Sequence, residues 1–330
     1  MMIRLERDPE ISRKLHLGEV PDGTGLLFAS NHSLVAPSFL HGNYLGPLLA
    51  CLSPMVWCAH SPRPFDSIIF SLGVSVPGVS SVPVDSLDRL PRRTNSYVQA
   101  RGLEARLFSR GSFREAIDWW VMRLDQLFTF LSDPATYRDE SGVYDPYRHQ
   151  NWLINTAELF ERVTSALRAQ RDDYAELVMT FSALDLIGDR FIGGDTGAKA
   201  DPENARKALS HVRSSMPSSV AEVILPGAER AVAAVESIAG GFFIDDETVR
   251  YTTKKGVVEC TREQAVGPLV GARRNAVHGF GGNLSRAKGA HELLSQHRGD
   301  LPSDIAYLPY LYLLQIMCSP EALRMRIERG

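Results

Sequence analysis

A chain of 330 residues, 44% hydrophobic and 23% charged, can bury its own core, which excludes a disordered tail or a disulfide-stapled miniature. Its formal net charge of −3 excludes a broadly basic nucleic-acid coat, though not a local basic patch. Four cysteines without framework spacing, Cys51, Cys58, Cys260 and Cys318, are expected to be reduced thiols of a cytoplasmic protein.

The amino terminus, MMIRLERDPEISRK, has no apolar stretch of the kind a secretory signal needs. No apolar run approaches the roughly 18 residues that span a bilayer, so no membrane partner is expected. Residues 1–105 form the first expected unit. Ten of the 19 prolines fall within residues 9–91. The short apolar runs GLLFAS (25–30), MVWCAH (55–60) and SIIFSLGVSV (67–76) predict strands and irregular segments, a smaller mixed or irregular α/β region. Cys51, Cys58 and His60 are near one another, but their spacing is not that of a zinc knuckle, and buried thiols are expected. His32, His41 and His60 are dispersed. The join to the next unit is basic, with Arg89, Arg92, Arg93 and Arg101.

Residues 106–330 form the second expected unit, helical throughout. Phe113, Ile117, Trp120, Val121, Leu124, Leu127, Phe128 and Leu131 recur at helical spacing, and Ser112 with Glu115 has the form of a capping box. The helix should stop before Asp133-Pro134. Asn155 with Glu158, and Asp173 with Glu176, are read as two further helix starts. The glycine-rich stretch from Gly193 to Gly197 lacks the lysine and spacing of a phosphate loop and reads as a helix-ending loop. Asp201-Pro202 is a cap followed by proline at the first helical position. A helix carrying Val232, Val235 and Ile238 should end at Gly240-Gly241. Thr261 and Gln264 can cap the segment leading into GARRNAVHG (271–279), and residues 305–317 predict a buried helix in which Tyr307, Tyr310 and Tyr312 pack. The expected fold class is mainly α: an antiparallel helical bundle after the smaller N-terminal region.

GARRNAVHG concentrates the chemistry. At about 100° per residue, Arg273 falls on the stripe of Val266, Val270 and Val277. Arg274 and His278 share a flank about 40° apart, and Asn275 points away. Gly279 supplies a left-handed stop that leaves His278 in the last turn, where a helix C-terminus favours its cationic form. An arginine on an apolar stripe calls for an anion or a partner surface. Together these residues suit phosphodiester chemistry, although basic residues also commonly solvate helix ends. Residues 251–300 hold eight Lys/Arg against four Asp/Glu, a modest basic excess.

Arg273, four residues, then His278 and Gly279 resemble the arginine–histidine signature of HEPN (higher eukaryotes and prokaryotes nucleotide-binding) domains. TFSALDLIGDRF (180–191) is similar to the helix that packs against the signature helix, and residues 301–323 to the closing helix. The resemblance covers about residues 112–330. It departs from the family where a polar residue, often asparagine, usually follows the arginine: Arg274 stands there, and Asn275 comes one later.

The resemblance implies a metal-independent endoribonuclease with no cofactor, a homodimer with a composite site, and a toxin or antiviral effector held by an antitoxin or activator. By the same resemblance, His278 moves the proton in attack by the RNA 2′-hydroxyl, Arg273 holds the scissile phosphate, and Arg274 or Asn275 orients one of them. A non-catalytic dimerising or nucleotide- or RNA-binding module is the alternative. Residues 1–105 would then be a sensor or regulatory region.

Overall fold

The computed structural model describes residue 51, residues 54–55 and residues 110–329, apart from 140, 170–172, 244–247 and 278–283. The expectations for the N-terminal unit, for Cys58, His32, His41 and His60, and for the basic join lie outside the described residues.

Helix α1, Arg110–Ser132, turns one apolar stripe inward, with Trp120, Leu127 and Leu131 fully buried. Trp120 stacks on Tyr310 at 6.1 Å and donates its indole N–H to the Cys51 carbonyl at 2.9 Å. Trp119 is buried as well, its N–H directed to the Ser215 carbonyl at 3.4 Å. Ser112 lies inside α1, and the Glu115 carboxylate accepts from the Ser219 hydroxyl. The helix ends where proline requires, and Asp133 accepts from the Ala135 N–H at 2.9 Å to start a 3₁₀ turn, Pro134–Tyr137.

Helix α2, Pro146–Arg168, begins nine residues before the expected start at Asn155. Its signal is Asp145-Pro146: the carboxylate accepts from the Arg148 N–H at 3.0 Å, and proline occupies a first-turn position that needs no donor. Helix α3, Asp173–Leu186, packs alongside α2 and begins where expected. It runs into a π turn, Ile187–Ile192, and ends at Gly193 and Gly194, whose φ of +83° and +81° suit glycine.

Two capped helices follow. Asp195 accepts from the Ala198 N–H at 2.8 Å to open α4, Thr196–Lys199, and Asp201 accepts from the Asn204 N–H at 3.0 Å to open α5, Pro202–Ser214. Helix α6, Ser218–Gly240, carries Val223, Ile224, Val235 and Ile238 into the core and ends at the expected glycine pair. Gly241 is needed there for room, since a Cβ would stand 2.4 Å from Nε2 of His297, which bonds the Ile238 carbonyl at 3.0 Å.

The expectation of an all-helical unit is corrected by a β-hairpin. Strands β1, Thr248–Thr253, and β2, Gly256–Thr261, pair antiparallel with Thr248 opposite Thr261 and Thr253 opposite Gly256. The segment TVRYTTKKGVVECT is rich in β-branched residues, and Gly256 takes φ of +121° at the turn. The hairpin leads directly into α7, Arg262–Val277, through the expected capping box. Gln264 N–H donates to Thr261 Oγ1 at 3.3 Å, and Thr261 N–H to Gln264 Oε1 at 3.1 Å.

Helix α8, Leu284–Ser295, lies on the hairpin. Glu292 accepts from the Thr252 N–H at 2.6 Å, and Gln296, just past the helix, donates to the Arg250 carbonyl at 2.7 Å. The approach is close enough that a Cβ on Gly289 would fall 2.0 Å from the Thr252 oxygen. Helix α9, Leu308–Cys318, is buried at every residue but Gln315 and touches α1, α2, α3, α5 and α6. A helix apolar on all sides is stable only when surrounded, and each fully buried leucine contributes about 1.5–3 kcal/mol. The tyrosine hydroxyls have partners: Tyr310 donates to the Ile224 carbonyl at 3.2 Å and Tyr312 to the Lys199 carbonyl at 2.7 Å. Arg324–Arg329 forms a last helix, α10. Among the described residues, no helix is long and apolar enough to cross a membrane.

Candidate functional site

Helix α7 leaves the core as it approaches its C-terminus. Ala265, Val266, Leu269, Val270 and Ala272 are buried, Arg273 and Arg274 half-buried, and Asn275 and Ala276 exposed. The last described carbonyl, that of Val277, accepts from the Tyr174 hydroxyl at 3.1 Å, so α3 helps close the end of α7. His278 and Gly279, the expected proton carrier and helix stop, lie outside the described residues.

The two arginines diverge, as their spacing requires. Arg274 reaches α3. Its Nε donates to both Asp185 oxygens at 3.0 Å, and its Nη2 to Oδ2 at 2.8 Å. Such a planar fork on a carboxylate fixes orientation as well as charge. Nη1 also donates to the Asn275 side-chain oxygen at 3.1 Å, while the nearly buried Thr196 hydroxyl donates to Asp185 Oδ1 at 2.6 Å. Asp185, Thr196, Arg274 and Asn275 thus form one network joining α3, α4 and α7.

Arg273 goes the other way. Its Nη2 donates to the Gly299 carbonyl at 3.0 Å. Its only carboxylate among the described residues is Asp300, 3.9 Å away and 97% exposed, an arrangement that neutralises little. Its Nε is buried without a hydrogen-bond partner among the described residues. Arg274 is therefore matched by a carboxylate, and Arg273 holds a largely uncompensated charge. Behind Arg273 sits buried His297, whose pKa is pushed down by burial first and by the Arg273 charge as well, against hydrogen bonds to the Ile238 and Gly299 backbone.

A groove of about 710 Å³ runs along α7 and reaches Asn275. Gly267, Pro268, Gly271 and Ala272 of α7 line it, together with Asp195, Asp201, Tyr251 and Lys254. Beside it, α4 and α7 meet backbone to backbone at Gly197 and Gly267.

The structure brings together Arg274 and Asn275, and separates both from Arg273. Sequence reasoning missed Asp185 and His297. The available signal for Asp185 was a single carboxylate inside the apolar run SALDLI (182–187). His297 offered none, because its burial depends on Gly241, which is distant in the chain. Among the described residues, no group of three or more His, Cys, Asp or Glu side chains is placed to hold a metal ion. Comparison with family models, with curated proteins and with solved structures returns no match for this chain.

Proposed function

We propose that the chain is an RNA-cleaving protein of the HEPN type whose reactive edge is the last turn of α7 and the residues just after it. The observation that carries this is the unequal engagement of the two arginines. Arg274 is spent on Asp185, whereas Arg273 keeps its charge with one weak carboxylate neighbour. An anion such as a scissile phosphate meets that need.

In this reading Arg273 binds the phosphate and stabilises the charge that grows on it. His278 takes the 2′-hydroxyl proton or returns one to the departing 5′-oxygen. The 2′-oxygen bonds to phosphorus as the 5′-oxygen leaves, which produces a 2′,3′-cyclic phosphate. Arg274 acts as a positioning residue, because its fork on Asp185 sets the azimuth of the final turn. Asn275, tied to Arg274 and exposed on the groove, is placed to contact the RNA. A second copy completing the site, and a regulatory role for residues 1–105 released by an activator or antitoxin, belong to the same proposal.

The alternative, a non-catalytic binding module, draws on one feature. The position after Arg273, where the resemblance most often has an asparagine, holds an arginine already committed to a carboxylate. RNA digestion in EDTA separates the two. The wild type should cut, while Arg273→Ala and His278→Ala should cut at least a hundredfold more slowly. RNA left intact by wild type that is also harmless on expression would defeat the nuclease reading.

A further inference from the structure

The glycine-rich loop at 193–197, which lacks a phosphate loop's sequence, acquires two cations in the fold. Lys199 returns to the loop from one turn along α4, and its Nζ lies 3.8 Å from where a Cβ of Gly194 would be. Arg326 arrives from α10. Its Nη2 lies 2.2 Å from the Cβ position of Gly193, so the guanidinium occupies space that any other residue would fill. Both glycines have positive φ, a conformation that suits glycine. We propose that the Gly193-Gly194 turn, with Lys199 and Arg326, is a binding site for a phosphate group.

Neither cation is balanced. Lys199 is only 6% exposed, yet its ammonium makes no hydrogen bond or ion pair among the described residues and lies 5.2 Å over the Tyr312 ring. The Tyr312 hydroxyl is already used on the Lys199 carbonyl. Arg326 donates once, to the Gly188 carbonyl at 3.2 Å, and its buried Nε has no partner. Asp195 attracts Lys199 from beyond ion-pair distance and is engaged in capping α4. Arg326 and Lys199 repel one another, and burial with that repulsion pushes the lysine down to about 8.

A helix C-terminus attracts cations, and the π turn does end here. That accounts for about half a unit of negative charge, against two full positive ones. A hydrogen-bond-deficient ammonium on a mostly buried lysine, with a half-buried guanidinium at the same turn, calls for an anion. Gly194 and Asp195 are exposed, so the turn opens to solvent. The site is separate from the Arg273 edge, although Thr196 in the same short helix bonds Asp185.

Isothermal titration of the full chain with inorganic phosphate, at ionic strength fixed with chloride, tests this. Wild type should bind one equivalent saturably, and Lys199→Met and Arg326→Gln should each weaken binding at least tenfold. Lys199→Met removes an unpaired buried charge and should fold, as melting will check. RNA cleavage by Lys199→Met and Arg326→Gln should match that of wild type, which keeps this result independent of the nuclease reading. Adenosine 5′-monophosphate in a parallel arm distinguishes sources: tighter binding than phosphate assigns a nucleotide, equal or weaker binding free phosphate. Binding no stronger than chloride's, or undiminished in both variants, would overturn the site.

Discussion

Arg274 on α7 and Asp185 on α3 form a forked ion pair, with the carboxylate 2.8–3.0 Å from two guanidinium nitrogens. The pair is 89 positions apart in sequence and ties the end of one helix to the middle of the bundle. Side-chain exposures of 33% and 23% place it between a surface bridge and a buried one, so its energy should lie between those cases. In urea unfolding, Asp185→Asn and Arg274→Met should each destabilise, and their double-mutant cycle should give a coupling of about 1–2 kcal/mol. Zero coupling would show that the fork fixes nothing.

The glycines of α4 and α7 yield a sharper stability contrast. A Cβ on Gly197 or Gly267 would stand 2.7 or 2.6 Å from the opposing backbone oxygen, which cannot rotate away. Gly197→Ala and Gly267→Ala should each cost about 1–3 kcal/mol. Gly271, in the same helix, has nothing within 4 Å of its Cβ position, so Gly271→Ala should be neutral or stabilising by up to about 1 kcal/mol. Thermal melts of the three variants check the order.

Lys199 sets a pH dependence of defined sign. Its folded pKa of about 8 lies below that of an unfolded lysine, near 10.4, because of burial and then Arg326, with Asp195 opposing. Between these values the unfolded chain holds a proton that the folded chain has lost, so Lys199 favours folding increasingly from about pH 8 to 10. Tyr312, also against Lys199, is pushed up by burial and stays protonated in the fold there. The stability of wild type relative to Lys199→Met should therefore rise across that window, at a limiting slope of about 1.4 kcal/mol per pH unit. A flat difference would contradict the burial of the ammonium.

Helix boundaries were legible at Asp133-Pro134, Asp201-Pro202 and Thr261 with Gln264, where a cap or a proline marked them. Asp145-Pro146 carries the same signal, but its first turns, PYRHQN, are polar, so the apolar pattern starts late and points to Asn155. The hairpin was hidden by the helical character of its neighbours; its paired β-branched residues and Lys255-Gly256 turn were there to be read. Periodicity was enough to set Arg273 and Arg274 on different sides of α7. It could not supply Asp185, Gly299 or Arg326, because which long-range partner meets an arginine is decided by how helices pack.

The chemistry of the RNA ends tests the central claim most directly. Purified wild type, Arg273→Ala, His278→Ala and Arg274→Lys are incubated with RNA in EDTA, and the cut ends are identified. The expected result is 2′,3′-cyclic phosphate ends from wild type, their near-complete loss in Arg273→Ala and His278→Ala at unchanged melting temperature, and partial loss in Arg274→Lys accompanied by lower stability. Arg273→Ala and His278→Ala cutting as fast as wild type, or ends carrying a 3′-hydroxyl and 5′-phosphate, would contradict it.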